Sequence, residues 1–352
     1  MNIGIPREVK VLEGRVALTP DAVGELVKFG HQVFIEKNAG DLSGYADKDY
    51  QQAGANILDS AEKVFDSAKL IVKVKEPQPS EWPLFGADHL LFSYLHLAAE
   101  PALTKALLNI GLTAVAFETI SDNASLPLLA PMSDIAGRVA VQAGSYLLHQ
   151  PQQGRGVLLG GLAGTERGNV VVLGAGVSGS NAVRMAAGIG ANVTVFDRNR
   201  EKLDAMRQIG ANVTALYANS SAIAAAVKQA DLLIGAVLIP GAKAPHLVST
   251  DMVKQMKQGS VIIDISVDQG GCIETTRPTT YENPTFIKYG VVHFGVTNMP
   301  GAVPRTASQA LSAALVPYIL RLCQPGWEQE HDLSAGINLK DGKTVLPALL
   351  NS

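Results

Sequence analysis

Short apolar runs typical of buried strands alternate with amphipathic stretches along almost the whole chain. Such an alternation favours parallel sheets covered by helices. Thr19 is expected to cap the first helix, with Pro20 at its first position. In the N-terminal part, the predicted strands are Asn2–Ile5, Gln32–Glu36, Leu70–Lys75, His89–Leu95 and Thr113–Phe117, and the predicted helices include Pro20–Phe29 and Pro101–Ile110.

A second series of the same kind begins near Asn169. A helical pattern over Ser133–His149 connects the two series, and another long one runs from Pro304 to about Leu322. In the second series, the predicted strands are Val170–Leu173, Asn192–Phe196, Leu232–Ala236, Val261–Ile265 and Val291–Phe294, and the predicted helices are Ser178–Gly190, Arg200–Ile209, Ala222–Gln229 and Thr250–Met256.

The composition is typical of a two-domain enzyme of the cytoplasm. The 352 residues exceed one ordinary core, and 47% hydrophobic against 17% charged residues argue against disorder. A net charge of -3 offers no basic surface for nucleic acid. Cys272 and Cys323 show no pairing or CxxC pattern, which fits a reducing compartment and argues against a structural metal site. Met1–Lys10 lacks the pattern of a signal peptide, and the apolar runs are too short to span a bilayer.

The strongest motif is a glycine-rich turn that follows the predicted strand Val170–Leu173. Gly174, Gly176 and Gly179 form GxGxxG at the start of a helix, the arrangement that binds a dinucleotide pyrophosphate. The first glycine allows the tight turn, the second allows close approach of the phosphates, and the third allows close helix–strand packing. The helix N-terminus, with Val177 and Ser178, offers N–H groups to the phosphates. The alternative is a glycine-rich turn of structural use alone.

The acidic residue that this motif requires is Asp197, 23 residues after Gly174 and at the end of the next predicted strand. Its carboxylate can accept hydrogen bonds from both ribose hydroxyls and would repel a 2′-phosphate, so NAD is favoured over NADP. Arg198 and Arg200 follow it closely, and an arginine can hold a 2′-phosphate. The motif therefore predicts a dinucleotide site and favours NAD as the cofactor.

Four residues are candidates for the chemistry. Lys75 and His96 close neighbouring predicted strands, so both could face one cleft at the carboxyl edge of the sheet. Arg15 lies in a loop before a helix, and Asp268 follows a strand and precedes two glycines. Position alone leaves simpler alternatives open: a solvated lysine, a histidine in a local hydrogen bond, a surface arginine, and an aspartate that forms a turn.

Ten motifs along the chain belong together. They are Arg7-Glu8, Glu13–Pro20, Val74–Pro77, Tyr94–Ala98, Pro127–Ser133, Gly174–Gly179, Gly235–Pro245, Asp264–Gly271, Arg277–Tyr281 and Asn298–Pro304. In these motifs the chain resembles the alanine dehydrogenase family, in order and over nearly its whole length. The match weakens after Leu322, around Gln324–Asp332. The NAD-binding subunit of transhydrogenase and the saccharopine dehydrogenases are relatives, but Leu95–Leu97 and Asp268–Gly271 are more similar to the alanine enzyme.

The resemblance implies an α/β fold with two Rossmann-like, doubly wound parallel-sheet domains, the NAD domain being inserted into the substrate domain. We expect the substrate domain at residues 1–128 and 306–352 and the NAD domain at 129–305. The implied reaction is the reversible, NAD-dependent conversion of L-alanine and water to pyruvate and ammonia. The implied assembly is a homohexamer.

The resemblance also implies roles for the four candidates. Arg15 binds the substrate carboxylate through its planar fork, and Lys75 hydrogen-bonds the pyruvate carbonyl or carboxylate and polarises it. Loss of hydride from the substrate Cα leaves an iminium, which water attacks. His96 is the general acid/base for that step, because the unperturbed pKa of histidine is about 6.5. Asp268 orients water or ammonia and stabilises the cationic intermediate.

Further contacts to NAD follow from the same resemblance. Ser133 is expected at the nicotinamide or the pyrophosphate, and Asp197 and Lys202 at the adenosine ribose. The residues expected to line the rest of the cofactor site are Leu238, Ile239, Ile265, Val267, Arg277, Val296, Asn298 and Met299. Three other functions stay open: a transhydrogenase-like NAD-binding subunit, a dehydrogenase of another small amino acid, and a binding protein without catalysis.

Overall fold

The computed structural model describes residues 1–123, 125–237 and 244–346. Among them, no helix is both long and apolar enough to cross a membrane. The strands are β1 Asn2–Ile5, β2 Gln32–Glu36, β3 Asn56–Leu58, β4 Leu70–Val72, β5 Leu90–Ser93, β6 Thr113–Ala116, β7 Asn169–Leu173, β8 Asn192–Asp197, β9 Val213–Tyr217, β10 Leu232–Gly235, β11 Val261–Asp264, β12 Thr285–Lys288, β13 Val291–Phe294, β14 Ile337–Lys340 and β15 Lys343–Thr344.

The α-helices begin at the positions that proline and capping residues favour. Pro20, Pro101 and Pro304 each stand at the first turn of a helix, where a missing N–H costs nothing. The helices are α1 Pro20–Lys28, α2 Asp47–Gln52, α3 Ala61–Ser67, α4 Pro101–Ile110, α5 Ala130–Leu147, α6 Val177–Gly188, α7 Arg200–Arg207, α8 Ser220–Gln229, α9 Thr250–Lys254, α10 Pro304–Leu322 and α11 His331–Gly336.

The chain divides into two compact units, which are described separately. The first consists of Met1–Met132 and the segment that begins at Val303, and the second is Ser133–Ala302. In the first unit the sheet order is β15-β14-β6-β5-β4-β1-β2-β3, with β1 to β6 parallel and β14 and β15 antiparallel at one edge. The parallel part therefore has the doubly wound order 3-2-1-4-5-6.

The sheet of the second unit repeats this order. It runs β12-β13-β11-β10-β7-β8-β9, with β12 antiparallel to its neighbour. The strand β7 pairs with β8 on one side and with β10 on the other, so the order reverses at the carboxyl end of β7. In such sheets the ligand binds at the point of reversal. The predicted pair of doubly wound sheets is thus confirmed, and the antiparallel edge strands are an addition to it.

The central strands are apolar on both faces because helices cover both sides of each sheet. Val170, Leu173 and Ile234 are buried in the second unit, and Ile3 and Ile71 in the first. In the first unit, α10 packs beside α1: the hydroxyls of Ser308 and Ser312 accept the backbone N–H groups of Val16 and Thr19 at 2.9 and 3.0 Å. The segment around Arg15 is therefore held in place by α10.

The structure departs from the predicted elements at several points. The parallel strands β3 and β9 are not among the predicted strands. The strands predicted to end at Lys75 and Leu95 end at Val72 and Ser93. Beyond Val72, the carboxylate of Glu8 accepts the N–H groups of residues 74 and 75 that would extend a sheet. Thr19 precedes α1 as predicted, but its hydroxyl lies 3.2 Å from Ser312 and does not cap the helix.

Candidate functional site

The glycine loop, residues 174–179, joins β7 to α6 at the reversal of the second sheet. Gly174 has a φ of +97°, and a Cβ there would lie 2.5 Å from the carbonyl oxygen of Ala236. At Gly179 a Cβ would lie only 1.8 Å from the carbonyl oxygen of Gly174. A side chain fits at neither position, so both glycines are required for the turn and for the close helix–strand packing.

The middle glycine, Gly176, is different, because a Cβ placed there meets no atom within 4 Å. Gly176 precedes the first residue of α6, and no side chain caps that helix. Val177, the first residue of α6, is 45% exposed. The loop thus presents open space at a helix N-terminus, which is the environment that a pyrophosphate requires.

Asp197 ends β8 and is bound to this loop. One carboxylate oxygen accepts the N–H of Ala175 at 2.7 Å, and the other accepts the N–H of Asn199 at 2.8 Å. The side-chain oxygen of Asn199 in turn caps α7 through the N–H of Lys202, whose side chain is exposed. The carboxylate is therefore fixed at the end of the strand next to the glycine loop, where it fits the ribose of a dinucleotide.

The helix α5 crosses α6 in close contact beside the glycine loop. A Cβ on Gly137 would lie 2.0 Å from the carbonyl oxygen of Ser178. Asn181 donates to Asp134 at 2.6 Å and accepts from Arg138 at 3.0 Å, so polar side chains bind the two helices together. This contact places the start of α5, where Ser133 is half-buried, near the loop. The sequence pattern does not indicate these residues, because a glycine within a helical pattern gives no signal of its partner.

The predicted catalytic Asp268 lies in a loop that a buried aspartate organises. Asp264, fully buried at the end of β11, accepts hydrogen bonds from the N–H groups of Ser266 and Cys272 at 3.0 and 3.1 Å. It also accepts the hydroxyl of Thr276 at 2.8 Å. Burial raises the pKa of Asp264, and these donors oppose the rise. Asp268 itself is exposed on this loop.

The remaining predicted cofactor residues are spread over the second unit. Arg277 lies with its guanidinium carbon 4.5 Å from the ring centroid of Phe286 on the edge strand β12. Val267, Val296 and Met299 are buried, and Ile265 and Asn298 are half-buried. Leu238 and Ile239 lie outside the described residues. Among the residues that the structure describes, no group of acidic, histidine and cysteine side chains is arranged to hold a metal ion.

In the first unit, Arg15 is buried and not a surface charge. It is 3% exposed, and its Nε donates to Glu13 Oε1 at 2.6 Å while its Nη2 donates to Glu13 Oε2. Nη1 points to the sulfur of Met132 at 3.2 Å. Burial alone would lower the pKa of Arg15, but the Glu13 carboxylate outweighs it and raises the pKa. Two of the three guanidinium nitrogens, Nε and Nη2, thus face Glu13, which fixes the orientation of the guanidinium plane.

Lys75 is half-buried near this pair. Burial, helped by the Arg15 charge, lowers the pKa of Lys75, while Glu76 and Glu13 oppose that effect. No side chain in the described ranges forms a hydrogen bond or an ion pair with its ammonium group. A partly buried cation favours an anionic or strongly polar ligand, because the ligand would compensate the charge of the ammonium group.

His96 is held in an uncommon backbone conformation, with a φ of +49°. Its N–H donates to Glu118 Oε1 at 2.7 Å, and its Nδ1 lies 3.8 Å from the same oxygen. The imidazole is 44% exposed and stacks on Tyr94 with a ring separation of 6.1 Å. The hydroxyl of Tyr94 donates to the carbonyl of Leu128 at 2.6 Å. This backbone conformation and these contacts fix the orientation of the imidazole while leaving it accessible.

These contacts bring three of the four candidates into one region of the first unit. The Arg15 charge acts on both Lys75 and Tyr94, and Tyr94 stacks on His96. All three follow the carboxyl ends of parallel strands, as β1, β4 and β5 adjoin one another in the sheet. The arrangement offers two cations for a small acid and an accessible imidazole for proton transfer.

Family models match most of the chain. The model of the alanine dehydrogenase/PNT N-terminal domain matches residues 4–136, and that of the alanine dehydrogenase/PNT C-terminal domain matches residues 140–347. Among curated proteins, the alanine dehydrogenase of Methanococcus maripaludis is 51% identical over 99% of this chain and 95% of that protein. The alanine dehydrogenase of Bacillus subtilis is 49% identical over 99% of this chain and 94% of that protein.

Solved structures agree with these matches. An L-alanine dehydrogenase of 51% identity superposes with a TM-score of 0.96 over 100% of this chain and 98% of that chain. A transhydrogenase from Sinorhizobium meliloti, 26% identical, superposes with a TM-score of 0.84 over 99% of this chain and 100% of that chain. On the matches over both halves and the two doubly wound sheets, the chain belongs to the alanine dehydrogenase/PNT family.

Proposed function

We propose that this chain is an NAD-dependent L-alanine dehydrogenase, which converts L-alanine, NAD and water reversibly to pyruvate, ammonia and NADH. The observation that supports this most is the pair of cations in the first unit. Arg15 is buried with Glu13, and Lys75 is close enough for the Arg15 charge to lower its pKa. The chain that holds them is about half identical to two alanine dehydrogenases over 99% of its length.

In the proposed mechanism, the cations hold the keto acid. Arg15 binds the carboxylate through its guanidinium group, whose orientation Glu13 fixes. The ammonium of Lys75 donates to the carbonyl or the carboxylate and draws electron density from the carbonyl carbon. His96 moves the proton when water adds to or leaves the substrate carbon, with Glu118 holding its backbone. Asp268 orients water or ammonia and stabilises the cationic substrate.

The glycine loop and Asp197 are proposed to hold NAD, with Ser133, Lys202 and the residues predicted to line the cofactor site as further contacts. Bound NAD supplies the acceptor for the hydride that leaves the substrate Cα. Open space at Gly176 and the fixed carboxylate of Asp197 fit that group. The Asp197 carboxylate favours NAD over NADP, because it would repel a 2′-phosphate. The proposal also includes a cytoplasmic location and a homohexameric assembly. Light scattering measures the size of the assembly.

NADH formation from a panel of amino acids tests the proposed function, with NAD and NADP run side by side. L-alanine with NAD should give the highest kcat/KM of the panel. Two other functions remain as outcomes. A higher kcat/KM with another small amino acid would reassign the substrate. Tight NADH binding without turnover of any amino acid would favour a transhydrogenase-like subunit, the function of the relative that superposes with a TM-score of 0.84.

Gly176→Ala should separate cofactor binding from folding. The added methyl group meets no protein atom within 4 Å, so the melting temperature should stay close to that of the parent. The methyl group should occupy the space that the pyrophosphate needs, and NADH should bind at least about tenfold more weakly by fluorescence titration. Gly188→Ala is the matched control, because a methyl group there also meets open space, at the far end of α6. Equal NADH affinity in both variants would remove Gly176 from the cofactor site.

Pyruvate binding should weaken at alkaline pH, because only the protonated form of Lys75 carries the charge that binds the pyruvate carbonyl or carboxylate. Burial and Arg15 lower the pKa of Lys75 from its ordinary value of 10.5, so the loss should begin below that pH. The Glu76 charge raises the pKa of Lys75, and Glu76→Gln should therefore move the loss to still lower pH. Pyruvate titration of the NADH complex without ammonia measures both curves. A Glu76→Gln curve displaced to higher pH would contradict this assignment.

A further inference from the structure

A cluster of buried charges adjoins the segment that contains Lys75. Lys73 is fully buried, and its ammonium lies 2.6 Å from Glu81 Oε1 and 3.4 Å from Glu8 Oε2. The side chains of Glu8 and Glu81 are 3% and 4% exposed. Charges removed from water to this extent have to be compensated by one another, so the cluster has a fixed geometry.

The carboxylate of Glu8 also holds the backbone that leads to Lys75. Oε1 accepts the N–H of Val74 at 2.6 Å, and Oε2 accepts the N–H of Lys75 at 3.3 Å. The strand β4 has already ended at Val72, so the N–H groups of residues 74 and 75 bind this side chain instead of a neighbouring strand. One carboxylate thus contacts three consecutive residues, 73, 74 and 75.

We infer that Glu8 is a positioning residue for substrate binding, which acts by fixing the backbone from which the Lys75 side chain extends. The inference rests on the proposed function, in which that ammonium binds the keto acid. No side chain in the described part of the chain bonds the Lys75 ammonium, so its place depends on its backbone. Misplacement of a substrate-binding group by about 1 Å can cost a large factor in rate.

Glu8→Gln disrupts the hydrogen bonds to the N–H groups of residues 74 and 75, while Glu81 still compensates the charge of Lys73. Lys73 keeps its ion pair with Glu81. Burial raises the pKa of Glu8, although Lys73 and the N–H of Val74 oppose the rise, so a neutral side chain is tolerated at this position. The glutamine amide has one acceptor oxygen, whereas Glu8 offers one to each N–H. Its NH2 group must face either the N–H of Val74 or that of Lys75, donor against donor. The variant should therefore fold with its Lys75 segment displaced.

A double-mutant cycle separates positioning through Lys75 from a general structural effect. The quantity compared is kcat/KM for pyruvate, taken from initial slopes so that low activity suffices. In the parent, Glu8→Gln should lower kcat/KM by about 20-fold, mainly by raising KM. A decrease of this size is expected when a hydrogen bond to a charged group is lost. In a Lys75→Met background, the same substitution should change kcat/KM by less than about threefold. NADH affinity and the melting temperature check that each variant is folded.

Glu36→Gln is the matched control. Glu36 is a buried carboxylate, 9% exposed, whose electrostatic surroundings include Lys73, but its hydrogen bond goes to the N–H of Arg7 at 2.8 Å. The Glu36→Gln substitution should leave kcat/KM for pyruvate within about twofold of the value without it, in both backgrounds.

The possible results distinguish the inference from the function on which it rests. If Glu8→Gln is folded and lowers kcat/KM equally in both backgrounds, or in neither, the inference is overturned while the function stands. If the parent enzyme does not reduce pyruvate, the function and the inference fail together. Should Glu8→Gln not fold, Glu8→Asp is carried through the same cycle, because its shorter side chain cannot reach both N–H groups.

Discussion

His96→Ala is expected to lower kcat by at least about 100-fold in both directions, the contribution typical of a positioned general acid/base. The imidazole is accessible, its backbone is fixed by Glu118, and its ring rests on Tyr94, so removing it leaves the surrounding packing in place. NADH affinity should stay unchanged, because the proposed cofactor residues lie on other elements. Steady-state kinetics and a fluorescence titration with NADH measure the two quantities.

His331→Ala is the control for that experiment. His331 is exposed at the start of α11, and its loss should leave kcat unchanged. Asp268→Ala should also cost at least about 100-fold in kcat with NADH binding retained. Turnover close to that of the parent in either His96→Ala or Asp268→Ala would remove that residue from the catalytic steps.

Among the variants proposed here, Arg15→Met is expected to lower the free energy of unfolding the most. The substitution leaves Glu13, whose side chain is 0% exposed, without the guanidinium that compensates its charge. Breaking a buried ion pair on one side costs about 3–5 kcal/mol. Chemical denaturation should show this as a marked fall in the free energy of unfolding. Pyruvate affinity should fall as well, because the guanidinium group is lost, and in the milder Arg15→Lys the pyruvate KM should rise.

The double variant Arg15→Met/Glu13→Gln separates the two effects. It removes both charges, so most of the stability should return while pyruvate binding stays weak. Arg200→Met is the control at the surface, since Arg200 is 93% exposed and its pair with Asp204 is solvated. A double variant that recovers pyruvate affinity together with stability would show that Arg15 supports the fold and does not bind the substrate.

Much of the fold follows from the chain's pattern because long apolar runs and capping signals are local. The strands at Asn2–Ile5, Gln32–Glu36 and Val291–Phe294 and the helix Pro101–Ile110 have the predicted bounds. Some differences from the prediction involve residues that are distant in the sequence. Beyond the end of β4, the N–H of Val74 binds Glu8, 66 residues away, and no local pattern contains that information.

In the candidate site, too, the local motifs follow from the sequence and the contacts between distant residues do not. Gly174, Gly176, Gly179 and Asp197 form a motif with known spacing, and the sequence alone indicates their task. The residues that contact the other candidates cannot be identified from the sequence. Glu118 lies 22 residues after His96, and a pattern search gives no reason to connect the two. Glu13 is only two residues from Arg15, but that the pair is buried follows from the tertiary structure.

Deuterium transfer from L-alanine labelled at Cα tests the central claim most directly. If this chain oxidises L-alanine with NAD, mass spectrometry of the product should show one deuterium on the reduced nicotinamide ring, and the keto acid formed should be pyruvate. Reduced cofactor without deuterium, or no alanine-dependent reduction by a folded protein that binds NADH, would contradict the account.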